Sequence, residues 1–151
     1  MKQPQRSERH PTSHERAQSD AAQVKDLVER WAKSVSAGDR AGIRARHSRD
    51  LLMFDFPAVV RGIDAYDQTW DFFFANPQGP ISFVPDELQV TASDDVAFAS
   101  CLIRCDGTSA GHVDLRLTVG LRKIDGQWTV THEHHSVPTI EQRFLDPAPP
   151  S

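Results

Sequence analysis

The segment Trp128–Pro138, WTVTHEHHSVP, puts three of the chain's seven histidines and a glutamate into four consecutive positions. Imidazoles two residues apart on one strand face can hold a metal, and an imidazole beside a carboxylate can move protons near neutral pH. Strand alternation groups His132 and His134 with Trp128, Val130 and Ser136, and groups Glu133 and His135 with Thr129 and Thr131. Trp128 and Val130 are core-type residues. His132 and His134 are therefore expected to face inward, and Glu133 and His135 to face solvent or a partner subunit. A metal would need a third ligand, for which His112 and Asp114 are candidates, but no spacing fixes one. The second acid–base candidate is Asp55, set in LLMFDF. A carboxylate desolvated by such neighbours has a raised pKa, which suits a general base; the alternative is a strand-edge aspartate that faces water or accepts a backbone N–H.

What faces the histidines depends on the preceding hairpin. His112–Lys123 alternates strictly, with Val113, Leu115, Leu117, Val119 and Leu121 on one face and His112, Asp114, Arg116, Thr118, Gly120 and Arg122 on the other. A two-residue Asp125-Gly126 turn would pair Leu117 with His134. A three-residue Ile124-Asp125-Gly126 loop would pair Arg116 with His134 and Thr118 with His132. The second register is expected. It gathers Asp114, Arg116, Thr118, His132 and His134 on one pocket wall and turns the Val/Leu stripe outward, where a second copy of the chain would cover it. An inward Arg116 would need a structural aspartate or a ligand carboxylate as its partner.

The elements that would carry these residues are readable from periodicity. Residues 1–18 hold no periodic apolar set and are expected to be a disordered tail. Order is expected from Ser19–Asp20, where Asp20 and Gln23 have capping-box spacing. Val24, Leu27, Val28, Trp31 and Val35 form a helical stripe ended by Gly38. A short helix over Asp39–Arg46 and a strand over Leu51–Phe56 follow. Ile63, Tyr66, Trp70, Phe73 and Phe74 mark a second long helix, stopped at Asn76–Pro80. Short strands at Ile81–Val84 and Leu88–Thr91 precede long ones at Val96–Cys105, His112–Lys123 and Gln127–Val137. The single domain is thus 19–138, with 139–151 a loose C-terminal tail. Helices first and antiparallel strands afterwards make the class α+β, with N-terminal helices packed on a curved sheet whose half-cone leaves a cavity.

Composition narrows the partners. The chain has 151 residues and a net charge of −4, with pI near 5.9 and mean hydropathy −0.49. That balance disfavours nucleic acid and anionic membrane, both of which reward a basic surface. No apolar run is long enough for a membrane span, and no signal-peptide pattern is visible. Cys101 and Cys105 would lie roughly 13 Å apart along one strand, too far for a disulfide, which fits a reducing cytoplasm.

Three stretches together resemble SnoaL-like and ketosteroid-isomerase-like proteins of the nuclear transport factor 2-like superfamily. They are SAGDRAGI after the first helix, FDFPAVVRGIDAYDQTW, and the closing RLTVGLRKIDGQWTVTHEHHSVP. The domain that assembles calcium/calmodulin-dependent kinases ends in a similar way. The likeness spans Val24 to Pro138 and implies a cystatin-like half-cone working without cofactor or metal. By this resemblance Asp55 falls at the general-base aspartate of ketosteroid isomerases, enzymes that pair such a base with a Tyr and a protonated Asp. The oxyanion tyrosine falls at Trp31, and Asp114 is a candidate for the second aspartate. One reading is a cofactor-independent isomerase, dehydratase or cyclase acting on a small apolar or carboxylate-bearing molecule. Asp55, His132 and His134 would move protons, and Trp31, Tyr66, Trp70, Asp114, Arg116 and Thr118 would line the substrate site. The other reading is a non-catalytic ligand-binding or dimerisation module. Both expect a homodimer through the outer sheet face.

Overall fold

The computed structural model describes residues 9–138. Helix α1 spans Ser13–Ala37 and starts six residues before the expected Ser19. Thr12 and Glu15 form a reciprocal capping box there, with Glu15 N–H on Thr12 Oγ1 at 3.1 Å and Thr12 N–H on Glu15 Oε2 at 2.9 Å. Asp20 is therefore not a cap. It lies within α1, buried, and accepts the Trp128 indole N–H at 3.1 Å and Lys123 Nζ at 2.7 Å, which pins the helix to the closing hairpin. Gly38 ends α1 in the left-handed conformation, as expected. Helix α2 (Arg40–Arg44) is capped by Asp39, and α3 (Ile63–Phe74) buries Tyr66 and Trp70.

Six strands make one curved sheet: β1 (His47–Phe54), β2 (Val59–Arg61), β3 (Ser82–Ala92), β4 (Val96–Thr108), β5 (Gly111–Ile124) and β6 (Gln127–Ser136). Their order is β2-β1-β6-β5-β4-β3, antiparallel throughout except for the parallel β1–β6 pair. The two short strands expected at 81–91 are one strand, β3, kinked by a bulge between Asp86 and Gln89 where Glu87 has φ 54°.

Two register findings decide which side chains face the helices. First, the β5–β6 turn has two residues, Asp125 and Gly126, both left-handed, so Ile124 pairs with Gln127. Leu115, Leu117, Val119 and Leu121 consequently face the core, and the stripe expected to seat a second copy is internal. Second, Thr131 is an extra residue: Leu121 pairs with Val130, but Gly120 pairs with His132. This bulge inverts the alternation halfway along β6. Trp128 and Val130 point inward, and so do Glu133 and His135; His132 and His134 point outward.

The concavity between sheet and helices is filled largely by aromatic rings. Trp31, Trp70, Phe73, Phe74 and Phe83 meet edge to face or tilted, with centroids 5.0–6.2 Å apart. Free Cys101 and Cys105 lie on the inner face of β4, and burial pushes both thiols up to about 11. Replacing Asp20 by Ala should strand the buried Trp128 N–H and lower unfolding stability by about 1–3 kcal/mol. Urea denaturation measures this, and an unchanged midpoint would refute the pinning role.

Candidate functional site

The site grows from the inverted half of β6. Glu133 is flanked on the sheet by Met53 of β1 and Val119 of β5, and its side chain is 1% exposed. A carboxylate so placed needs donors, and three converge on it. The Tyr66 hydroxyl donates to Oε1 at 3.0 Å, His47 Nε2 lies 2.6 Å from Oε1, and His135 Nε2 lies 2.7 Å from Oε2. Trp31 Nε1 donates to the Tyr66 oxygen at 3.0 Å, extending the chain of hydrogen bonds to α1.

These contacts set the charge on the carboxylate. Burial alone would push the Glu133 carboxyl up, but hydrogen bonds from His135 and His47, and their charges, outweigh it and hold it at about 2. Glu133 is thus an acceptor only. His47 Nδ1 lies 2.9 Å from the Ala45 carbonyl oxygen, also only an acceptor. His47 is thus held between two acceptors, with the Tyr66 hydroxyl also 3.2 Å from its Nε2, and its ring pairs with Glu133 inside the core. Its ring stacks on Tyr66 with centroids 4.9 Å apart. Burial and the Glu133 charge push the Tyr66 phenol well above its ordinary value, so it stays protonated. Trp70 Nε1 also acts on that hydroxyl but, among the described residues, makes no hydrogen bond of good geometry.

His135 stands differently. Its Nε2 is committed to Glu133, and its Nδ1 has no hydrogen-bond partner among the described residues. The ring lies on the wall of a small cleft with Met53, Asp55, Thr69, Trp70 and Phe83. Phe54 pairs in register with His134, so the next positions, Asp55 and His135, are neighbours across the parallel pair. Asp55 continues the inward series of Leu51 and Met53. It sits half-buried in the β1–β2 turn, where its Oδ1 accepts the Phe56 N–H at 2.9 Å. The cleft is small, about 60 Å³.

Of the residues expected to form the site, Asp55 and Trp70 line this cleft. Trp31 and Tyr66 lie behind it, in the buried network. His132, His134, Asp114, Arg116 and Thr118 do gather on one wall, but it is the outer face of the sheet. There His132 and His134 pack against Phe54 at 5.1 and 5.8 Å. His112 is held by Asp106 and Asp114, and among the described residues no three His, Cys, Asp or Glu side chains are placed to hold a metal. The side chains of His47, which sequence analysis did not single out, and of Glu133 and His135, expected to face solvent or a partner subunit, are buried. One signal in the sequence pointed to Glu133 and His135. Val137, packed against the core, shares strand parity with Glu133 and His135 rather than with Trp128 and Val130.

A SnoaL-like domain profile matches residues 24–140. The chain belongs to the SnoaL-like family. A nuclear transport factor 2-like protein of unknown function from Pseudomonas putida is similar at 34% identity, with TM-score 0.76, covering 83% of this chain and 92% of that one. At 22% identity, a putative ketosteroid isomerase from Shewanella frigidimarina shares the fold with TM-score 0.62, over 74% and 92% of the two chains. A putative dehydratase from Streptomyces avermitilis does so at 14% identity and TM-score 0.70, over 81% and 98%. No curated protein matches.

The ionised state of Glu133 predicts acid sensitivity. Its folded value of about 2 lies below the ordinary 4.5, so its stabilising contribution is complete above pH 4.5 and is lost as pH falls toward 2. That difference corresponds to on the order of 3 kcal/mol. Glu133→Gln should cost about 3–5 kcal/mol at neutral pH by breaking the buried pairing with His47 and His135, and should flatten this acid limb. Denaturant titrations across that range test both effects.

Proposed function

We propose that this SnoaL-like protein is a cofactor-independent proton-transfer enzyme of the isomerase or dehydratase type, acting on a small, largely apolar molecule that bears a carbonyl or carboxylate. The observation that carries the reading is His135: one nitrogen is held by an ionised buried carboxylate, and the other is free on a cleft shared with Asp55. A carboxylate behind an imidazole selects its tautomer and strengthens its free nitrogen as a base. Asp55 takes the proton from the ligand's α-carbon, and His135 Nδ1 relays that proton to the new position, so that the ligand neither gains nor loses one. His135 thus fills the role that strand alternation suggested for His132 and His134. The aromatic wall of Trp70, Phe73 and Phe83 suits an apolar body. The similar putative isomerase and putative dehydratase support the reaction class at the level of fold. Two buried thiols in the reduced state support residence in the cytoplasm.

Hydrogen–deuterium exchange at the α-carbon of small cyclic enones, followed by proton NMR, tests the assignment without knowledge of the substrate. Wild type should accelerate exchange. Asp55→Asn and His135→Gln should each slow it about 10²-fold or more, with unchanged melting for Asp55→Asn. Full activity in both variants would remove the proposal.

A second reading, a dimerisation module, is favoured by the outer sheet face. Phe54, Val84, Val96, Phe98 and Leu102 are exposed there, around Arg116, His132 and His134. A second copy on this face would cover them. Sedimentation at micromolar concentration should give a dimer for wild type and a monomer for Phe98→Asp with Leu102→Asp. A wild-type monomer would exclude this reading.

A further inference from the structure

A concavity larger than the inner cleft lies outside the half-cone. Two adjoining hollows, of about 200 and 240 Å³, share Leu27, Arg30 and Arg46 and run along the outer side of α1. The first is completed by Trp31, Ser34, Gly42 and Ala45, between α1 and α2. The second is completed by Gln23, Asp26 and the hairpin residues Gly126, Gln127 and Trp128. Each is several times the volume of the inner cleft.

The backbone shapes the first hollow deliberately. A Cβ at Gly42 would collide with Ser34 Oγ, so glycine there lets α2 approach α1 closely. Arg46 has φ 60°, a left-handed conformation that a non-glycine residue rarely adopts. It is stabilised in place because its carbonyl accepts the Val130 N–H at 2.7 Å. This conformation turns the chain from α2 into β1 and leaves the guanidinium on the groove beside Arg30.

The charge pattern then selects a ligand. The Ser34–Gly42–Ala45 half is lined by both arginines, with the Asp39 carboxylate beside Gly42 and engaged by the Gly42 N–H; the one acidic lining residue, Asp26, belongs to the other half. Arg30 is paired with Asp26 at 2.9 Å in an exposed contact, and Arg46 is in contact with the neutral Gln127 amide oxygen. Neither arrangement ties up an arginine strongly, since exposed pairs contribute little. Beneath the guanidinia the floor is apolar, formed by Leu27, Trp31 and Ala45.

We propose that this groove is a second ligand site, separate from the inner cleft, that binds a small aryl carboxylate: the carboxylate between Arg30 and Arg46, the ring over Leu27 and Trp31. Two guanidinium forks match a carboxylate bidentately, which a neutral group of the same shape does not exploit. Trp31 lines this groove on one side and donates its N–H to Tyr66 on the other, so an occupant touches the buried network directly.

The test uses phenylacetate as the probe and phenylacetamide as its uncharged counterpart, titrated into the full chain by calorimetry and amide-resolved NMR. Expected results are saturable binding of phenylacetate, shifts concentrated at Arg30, Ser34, Gly42 and Arg46, and binding of phenylacetamide at least about tenfold weaker. Arg30→Ala with Arg46→Ala should abolish binding while far-UV dichroism and melting confirm the fold. Should that variant not fold, Arg30→Lys with Arg46→Lys, which keeps the charge and loses the forks, should still weaken binding severalfold. The proposal is overturned by any of three results: no saturable binding of phenylacetate in the millimolar range, equal affinity for the amide, or shifts concentrated at Asp55, Thr69 and His135.

Discussion

An ionised carboxylate in a protein interior is tolerated only where its lone pairs are taken up, and Glu133 sets that condition for this molecule. Its partners come from three other places: Tyr66 from α3, His47 from the start of β1, and His135 from two residues along its own strand. Trp31 adds α1 through the Tyr66 hydroxyl. Ion pairs of this sort add little net stability compared with apolar packing. Their effect is to penalise alternatives, because any other register of β6, or a shift of α3, leaves a buried charge without a counterpart. The same condition prepares His135 for chemistry, since the hydrogen bond that satisfies Glu133 also decides which imidazole nitrogen is free.

The bulge at Thr131 makes that condition achievable. Without it, strict alternation from Trp128 and Val130 would carry His132 and His134 inward and leave Glu133 outside. With it, the hairpin end of β6 contributes apolar residues to the core and the far end contributes an acid and a base. The outer face receives the remainder: two imidazoles in contact with Phe54, next to Thr118 and Arg116. One extra residue therefore divides the polar residues of the closing hairpin into an inner set and an outer set.

Aromatic packing limits what the inner set can do. Trp31, Trp70, Phe73, Phe74 and Phe83 occupy most of the space beneath the sheet, and the cleft they leave beside Asp55 and His135 is small. The space excluded from the centre reappears between α1, α2 and the hairpin turn, where the chain bends at a left-handed Arg46. Trp31 belongs to both regions, packed into the core on one side and bordering the outer groove on the other.

By itself the sequence determined the fold class, the family, the two long helices and the three long C-terminal strands, because apolar periodicity, glycine caps and Asp-Gly turns act over a few residues; it did not show β2, the continuity of β3 or the first turns of α1. Asp55 and Trp70 border one cleft because inward alternation along β1 and the helical stripe of α3 are uninterrupted there. The orientation of β6 lay beyond local rules. The parity of Val137 was the one trace of the bulge in the residue pattern, and two- and three-residue hairpin loops were both compatible with KIDGQ. His47 was likewise unreadable, since it enters the core only because β1 is irregular between His47 and Leu52 and runs parallel to β6. Only tertiary structure decided which histidines are inside. Face along a strand is a local property until a residue is inserted, and whether it is inserted depends on partners far away in the chain that must satisfy a buried charge.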